Sequence, residues 1–153
     1  MRIRIAVVED ETEQYEYVKK LLTQWSEQSS ESIAVTHVTC GEEYLISYNQ
    51  PDTFDLLFLD VYMKQMNGME LAKEIRKYDR EVQMVFLTGV SDYVFEGYEI
   101  GAVRYLLKPI EAEKLTETMA VGLEKIKQKS DDYISFKYQG EMLRLLRSDI
   151  FYV

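Results

Sequence analysis

The run Leu56-Leu57-Phe58-Leu59 closes on Asp60, an acidic side chain at the point where a buried strand must meet the surface. Three other apolar runs end in groups that could act with it: Val7-Val8 on Glu9-Asp10, Val85-Phe86-Leu87 on Thr88, and Tyr105-Leu106-Leu107 on Lys108-Pro109. Two or three carboxylates in one cleft repel one another, and staying ionised together requires a shared cation. Oxygen-only ligands favour a hard ion, and Mg²⁺, which keeps several waters and takes one or two carboxylates, fits best. Asp10 and Asp60 are the expected direct ligands, with Glu9 reaching the ion through water or orienting its neighbours. Lys108 would balance the excess negative charge, including that of an incoming phosphoryl group. Pro109 restricts the Lys108 backbone and permits a cis bond that would aim the ammonium back over the sheet. Thr88 offers a hydroxyl to an anion, and Gly89 leaves space for a ligand. Each feature also has a plainer reading: Glu9-Asp10-Glu11 as a solvated acidic loop at a helix N-terminus, Lys108 as a surface lysine, Thr88 as a strand-ending or helix-capping residue.

The elements that would bring these groups together alternate along the chain. Short apolar runs rich in β-branched residues predict strands over Ile3 to Val8, Ile33 to Val38, Phe54 to Leu59, Val82 to Leu87 and Val103 to Leu106. Amphipathic runs predict helices near Thr12 to Gln28, Gly41 to Asn49, Gly68 to Tyr78, Ser91 to Ile100 and Glu111 to Lys129. Tyr15, Val18, Leu22 and Trp25 recur at helical spacing and should form one buried stripe. Thr12 and Ser91 are suited to cap their helices, each followed by acidic residues that favour the positive end of the helix dipole. Alternating βα units imply a parallel sheet with right-handed crossovers, covered on both faces. Ligands of such sheets bind beyond the carboxyl ends of the strands, where the candidate residues fall.

Composition narrows the possibilities. With 153 residues, 46% apolar and 29% charged, the chain holds one full domain and a little more. Its longest uncharged apolar stretches are strand-sized, short of the roughly 20 residues that span a bilayer, and Met1-Arg2-Ile3-Arg4 leads into a strand rather than a signal peptide. The expected location is the cytoplasm. The single cysteine, Cys40, excludes an internal disulfide and a cysteine-based metal site. A net charge of -9 disfavours phosphate backbones for the chain as a whole. The tail from Tyr133 differs, with Lys137, Arg144 and Arg147 against Glu141 and Asp149, a hint that a second module begins near Ser130-Asp131-Asp132. His37, the only histidine, reads as a packed or surface residue ending a strand away from the cleft. Met63, Met66 and Met69 read as gap-fillers or a partner-facing patch.

Taken together, Val7-Val8-Glu9-Asp10-Glu11, Leu59-Asp60-Val61-Tyr62-Met63 with Asn67-Gly68, Leu87-Thr88-Gly89 and Tyr105-Leu106-Leu107-Lys108-Pro109-Ile110 resemble the receiver domain of bacterial two-component response regulators over roughly residues 3 to 129. The resemblance implies a doubly wound, flavodoxin-like α/β fold with strand order 2-1-3-4-5. It implies that Asp60 accepts a phosphoryl group from a phosphohistidine on a sensor histidine kinase, and that Asp10, Asp60 and the Tyr62 backbone carbonyl hold Mg²⁺ with Glu9 beside them. Thr88 would then bond the aspartyl phosphate and Tyr105 would turn into the vacated space, a two-state switch read on the surface of the fourth helix, fifth strand and fifth helix. A phosphorylation-dependent homodimer is the expected consequence. The chain would assist its own phosphorylation and dephosphorylation without being an enzyme in the ordinary sense. Two departures stand out. Lys64 replaces the proline that many receivers carry four residues after the phosphoacceptor, which predicts a looser, more basic loop, and bulky Tyr62 faces the phosphate, where it should obstruct hydrolytic water.

Tyr133 to Tyr138 alternates with period two, Gln139-Gly140 turns, and Met142 to Leu146 continues as a second strand, which predicts a short C-terminal β-hairpin. Residues 130–153 thus resemble a linker and the opening of a LytTR-type DNA-binding domain. An isolated hairpin is marginal in water, so either the chain is cut inside that domain or the hairpin packs on the receiver or on another copy. Promoter DNA is then a partner only through the full-length output domain. The alternative is a stand-alone receiver acting through protein contacts. Against a nucleotide or flavin enzyme on the same fold, Glu9-Asp10-Glu11 repels phosphate and no glycine-rich cradle is present. Against an aspartyl phosphatase, Tyr62 supplies no acid.

Overall fold

The computed structural model describes residues 2–89 and 104–139, with side chains as far as residue 128. Five strands, β1 (Arg2–Val8), β2 (Ser32–Val38), β3 (Leu56–Asp60), β4 (Gln83–Thr88) and β5 (Arg104–Leu107), form one parallel sheet in the order β2-β1-β3-β4-β5. The helices described are α1 (Thr12–Ser29), α2 (Gly41–Ser47), α3 (Gly68–Arg76) and α4 (Ala112–Gln139). The helix expected over Ser91 to Ile100, with its cap, lies outside the described residues. Among the described residues no helix is long and apolar enough to cross a membrane.

Because strand side chains alternate between faces, each central strand feeds two cores. Ile3, Ile5 and Val7 of β1 join Leu56 and Phe58 of β3 beneath α1 and α4, against Tyr15, Val18, Leu22, Trp25, Leu115 and Met119. Ala6 and Val8 join Leu57, Leu59, Met84 and Phe86 on the other face, against Tyr44 of α2 and Met69, Leu71 and Ile75 of α3. The stripe expected on α1 is therefore buried as predicted. Register then places the carboxyl ends side by side: Val8 lies opposite both Val38 and Leu59, and Asp60 opposite Leu87. Strand order reverses about β1, so the crevice between β1 and β3 is the topological switch point.

Two local expectations need correction. Thr12 is already helical and does not cap α1; the N-cap is Glu11, extended and without a side-chain capping bond, its carbonyl accepting from the Tyr15 amide at 3.0 Å. The strand expected over Tyr133 to Tyr138 is helical instead, because α4 runs on to Gln139. Extending an existing helix adds one hydrogen bond per residue ordered, whereas a hairpin must be nucleated anew. The remainder of the expected hairpin, from Gly140 onward, lies outside the described residues.

Candidate functional site

Asp60 ends β3 at the switch point and is 3% exposed, while Glu9, one residue beyond β1, has no exposed surface. One carboxylate oxygen from each of Glu9, Asp10 and Asp60 lies within 4.8 Å of the others. Such an all-oxygen cluster fits a hard divalent cation, which takes oxygen ligands and would offset the repulsion among neighbouring carboxylates. From the opposite wall, Lys108 donates from Nζ to Glu9 Oε1 and Asp60 Oδ1, both at 3.2 Å. The Lys108-Pro109 peptide bond is cis, and the Lys108 amide donates to the Thr88 carbonyl at 2.9 Å. Thr88, at the end of β4, is buried. Above these groups opens a cavity of about 520 Å³ whose lining includes Asp10, Gln14, Asp60, Tyr62, Lys64 and Lys108. A side chain at Gly89 would meet nothing within 4 Å, consistent with the open space expected there.

The backbone after β3 is held from several sides. The Val61 amide donates to the Leu87 carbonyl at 2.9 Å, and the Tyr62 amide to Asp60 Oδ1 at 3.3 Å. Further on, the Gly68 amide donates to the Val61 carbonyl at 3.0 Å. Asn67 starts α3 with a reciprocal capping box: its Oδ1 accepts from the Glu70 amide at 2.8 Å, while Glu70 Oε1 accepts from the Asn67 amide at 2.9 Å. The Lys64 amide, a donor that proline would lack, reaches Asp10 Oδ2 at 3.3 Å. The departure from proline thus adds a tie between the loop and the carboxylate cluster. Tyr105 of β5 is half-buried and stacks on Phe86, with ring centroids 5.3 Å apart.

Burial, reinforced by hydrogen bonding to Asp60 and by that residue's charge, pushes the Glu9 carboxyl up to about 8, against the opposing pull of Lys108 and the Glu11 amide. Its ordinary value is 4.5, so between the two the metal-free fold keeps a proton that the unfolded chain has lost. Metal-free protein should therefore lose stability as pH rises from about 4.5 to about 8. Saturating Mg²⁺ should flatten that decline, because the cation replaces the proton. Thermal melts across this range, with chelator and with Mg²⁺, check the prediction; parallel profiles would count against it.

The structure thus brings Glu9, Asp10, Asp60, Thr88 and Lys108 to one end of the sheet. It also adds two residues to the surroundings. Gln14 accepts from Lys108 Nζ and donates to Glu11 Oε1; its place one helical turn beyond Asp10 was the available signal. His37 does not lie away from the cleft, as its position at the end of β2 suggested. Register sets it opposite Val7, and its Nε2 lies 2.8 Å from the Glu9 carbonyl oxygen.

Comparison with known proteins agrees with this fold. Residues 5–120 match the family described as response regulator receiver domain. The chain is 29% identical over 139 residues to the sensory transduction protein LytT of Bacillus anthracis, covering 90% of this chain and 52% of that protein. It is 32% identical over 121 residues to LytT of Oceanobacillus iheyensis, covering 78% and 47%. This chain therefore spans about half the length of these relatives. Among solved structures, the Thermotoga maritima response regulator DrrB, an OmpR/PhoB homologue, matches with a TM-score of 0.67 at 29% identity, over 82% of this chain and 54% of that one.

Proposed function

Because this chain belongs to the response regulator receiver family, we propose that Asp60 is its phosphoacceptor and that a sensor histidine kinase is the donor. The observation that carries the proposal is a buried carboxylate at the switch point with an ammonium at 3.2 Å and two further carboxylates clustered against it. In the transfer, an Asp60 oxygen attacks phosphorus in line, the new O–P bond forms as the N–P bond to the donor imidazole breaks, and the leaving nitrogen takes the electron pair. No general base is needed, since Asp60 is used ionised. Lys108 stabilises charge on the transferring oxygens from a fixed position. Mg²⁺ bound by Asp10, Asp60 and the Tyr62 backbone carbonyl, with Glu9 beside them, would neutralise further charge. The same residues serve hydrolysis of the phosphoryl group, so the chain assists both its phosphorylation and its dephosphorylation.

The Thr88 hydroxyl then bonds the aspartyl phosphate and Tyr105 moves into the space it leaves, altering the surface around β5 and favouring a homodimer. In a longer protein this switch would control a LytTR-type output domain that binds promoter DNA in the cytoplasm, the boundary falling near residue 129. Support for that output comes from the LytT relatives, of which this chain spans about half. Beryllofluoride, a stable mimic of an aspartyl phosphate, tests the switch. With Mg²⁺ it should shift the amide signals of Thr88 and Tyr105 in the native chain and leave them unmoved in Asp60→Asn. An unresponsive native chain would contradict the proposal.

Tyr62 is 51% exposed and lines the cavity, where its ring can obstruct the approach of water to the phosphoryl group. Tyr62→Asn should shorten the lifetime of the phosphorylated form several-fold, measured as decay of the adduct after the donor is removed. Equal lifetimes would show that the ring does not shield it.

A further inference from the structure

Both peptide groups of Glu9 are held by neighbouring residues of β2. Its amide donates to the Val38 carbonyl at 3.0 Å, and its carbonyl oxygen lies 2.8 Å from His37 Nε2. A carbonyl oxygen only accepts, so Nε2 carries the proton whether the ring is neutral or charged. The ring is also fixed in direction: it stacks on Tyr15 with centroids 3.8 Å apart and planes 4° from parallel. Tyr15 in turn is buried in the core beneath α1. The carbonyl that His37 engages belongs to the Glu9-Asp10 peptide, a planar unit whose orientation determines where the Asp10 side chain leaves the backbone.

We infer that His37 is a positioning residue for the cation site, its Nε2–H fixing the Glu9-Asp10 peptide so that Asp10 meets Asp60. The bond spans 28 residues of sequence and joins two strand ends that no covalent turn connects. Without it, the Glu9 carbonyl loses this anchor and the peptide plane is held only through its neighbours, the Glu9 amide on Val38 and the Lys64 amide on Asp10, so the cost falls on assembling the carboxylates rather than on the core. The inference rests on Asp10 and Asp60 being the Mg²⁺ ligands.

Two variants separate positioning from packing. His37→Phe keeps an aromatic ring to stack on Tyr15 but has no donor, whereas His37→Gln restores an N–H of similar reach. In calorimetric Mg²⁺ titrations of folded protein, His37→Phe should bind about ten-fold more weakly than the native chain, and His37→Gln should recover most of the loss. Native-like affinity in His37→Phe, or an equal deficit in both variants, would overturn the inference. A second readout needs no metal. As the chain has one histidine, its imidazole ¹⁵N signals are unambiguous; well above the usual imidazole titration range, Nε2 should be the protonated nitrogen. A ring protonated on Nδ1 would overturn the inference even if His37→Phe failed to fold. Absence of Mg²⁺ binding by the native chain would instead defeat the cation reading and, with it, this role. The ¹⁵N result would still report whether the hydrogen bond exists.

Discussion

Lys108→Met should slow phosphorylation of Asp60 by roughly 10²-fold to 10³-fold, the range seen when one preorganised charge-stabilising donor is removed, without weakening Mg²⁺ binding. The two effects have opposite electrostatic origins. Lys108 holds its ammonium 3.2 Å from both Glu9 and Asp60 and is 26% exposed, so its charge acts where water screens it poorly. In the proposed transfer that charge would offset the negative charge brought into the site, but it would also repel a divalent cation. Methionine keeps most of the length of the side chain and removes the charge, leaving the buried carboxylates to depend on a proton or a cation. Glu9 should then hold its proton still more tightly, since Lys108 is the main influence drawing its pKa down. Rates of adduct formation at saturating Mg²⁺, set beside Mg²⁺ titrations, check this pattern. A parallel fall in rate and Mg²⁺ affinity would mean that Lys108 maintains the architecture of the site rather than stabilising the transfer.

Gly68→Ala should be nearly as damaging by a different route. A Cβ at this position would stand 2.4 Å from the Asp60 carbonyl oxygen, 2.9 Å from its carbon and 3.1 Å from Val61 Cα. These are backbone atoms with no flexible side chain to yield, so either α3 withdraws and strains the Gly68 to Val61 hydrogen bond, or the Asp60 peptide moves. Overpacking of this kind costs about 1–3 kcal/mol. A shift of ~1 Å at the proposed nucleophile would slow reaction by about 10²-fold. Gly122→Ala in α4 is the comparison, because its Cβ would meet only Leu56 side-chain atoms at 3.7 Å and beyond. Alanine there should be neutral or stabilising, as expected for a helix interior. Denaturation midpoints and phosphorylation rates of the two variants test the contrast; similar behaviour would refute the close-approach argument at Gly68.

The site was legible in the chain wherever a strand ends, and less so where elements meet from the side. Asp60, Thr88 and Lys108 stand out because an apolar run cannot absorb them, so each marks the strand's exit from the core. The same alternation identified the strands feeding both faces of the sheet. Gln14 and His37 carry no such contrast. Gln14 is an ordinary polar residue on a helix, and its contact with Lys108 depends on the Lys108 side chain reaching from beyond the end of β5 back to α1. His37 became informative only through the parallel register that sets it opposite Val7. Period-two alternation after Tyr133 pointed to a strand, but it is a local signal that a preceding helix can override, and α4 continues through Tyr138. The capping expectation at Thr12 failed for a related reason: helix chemistry indicates that α1 begins nearby, while the path of the Glu9-Asp10-Glu11 turn determines which residue is first.

The most direct test of phosphoacceptance is the mass of the intact chain after incubation with Mg²⁺ and a small-molecule acyl phosphate, for the native sequence and for Asp60→Asn. If Asp60 is the acceptor, the native chain gains one phosphoryl group and Asp60→Asn gains none. No adduct on the native chain, or an undiminished adduct on Asp60→Asn, would contradict it.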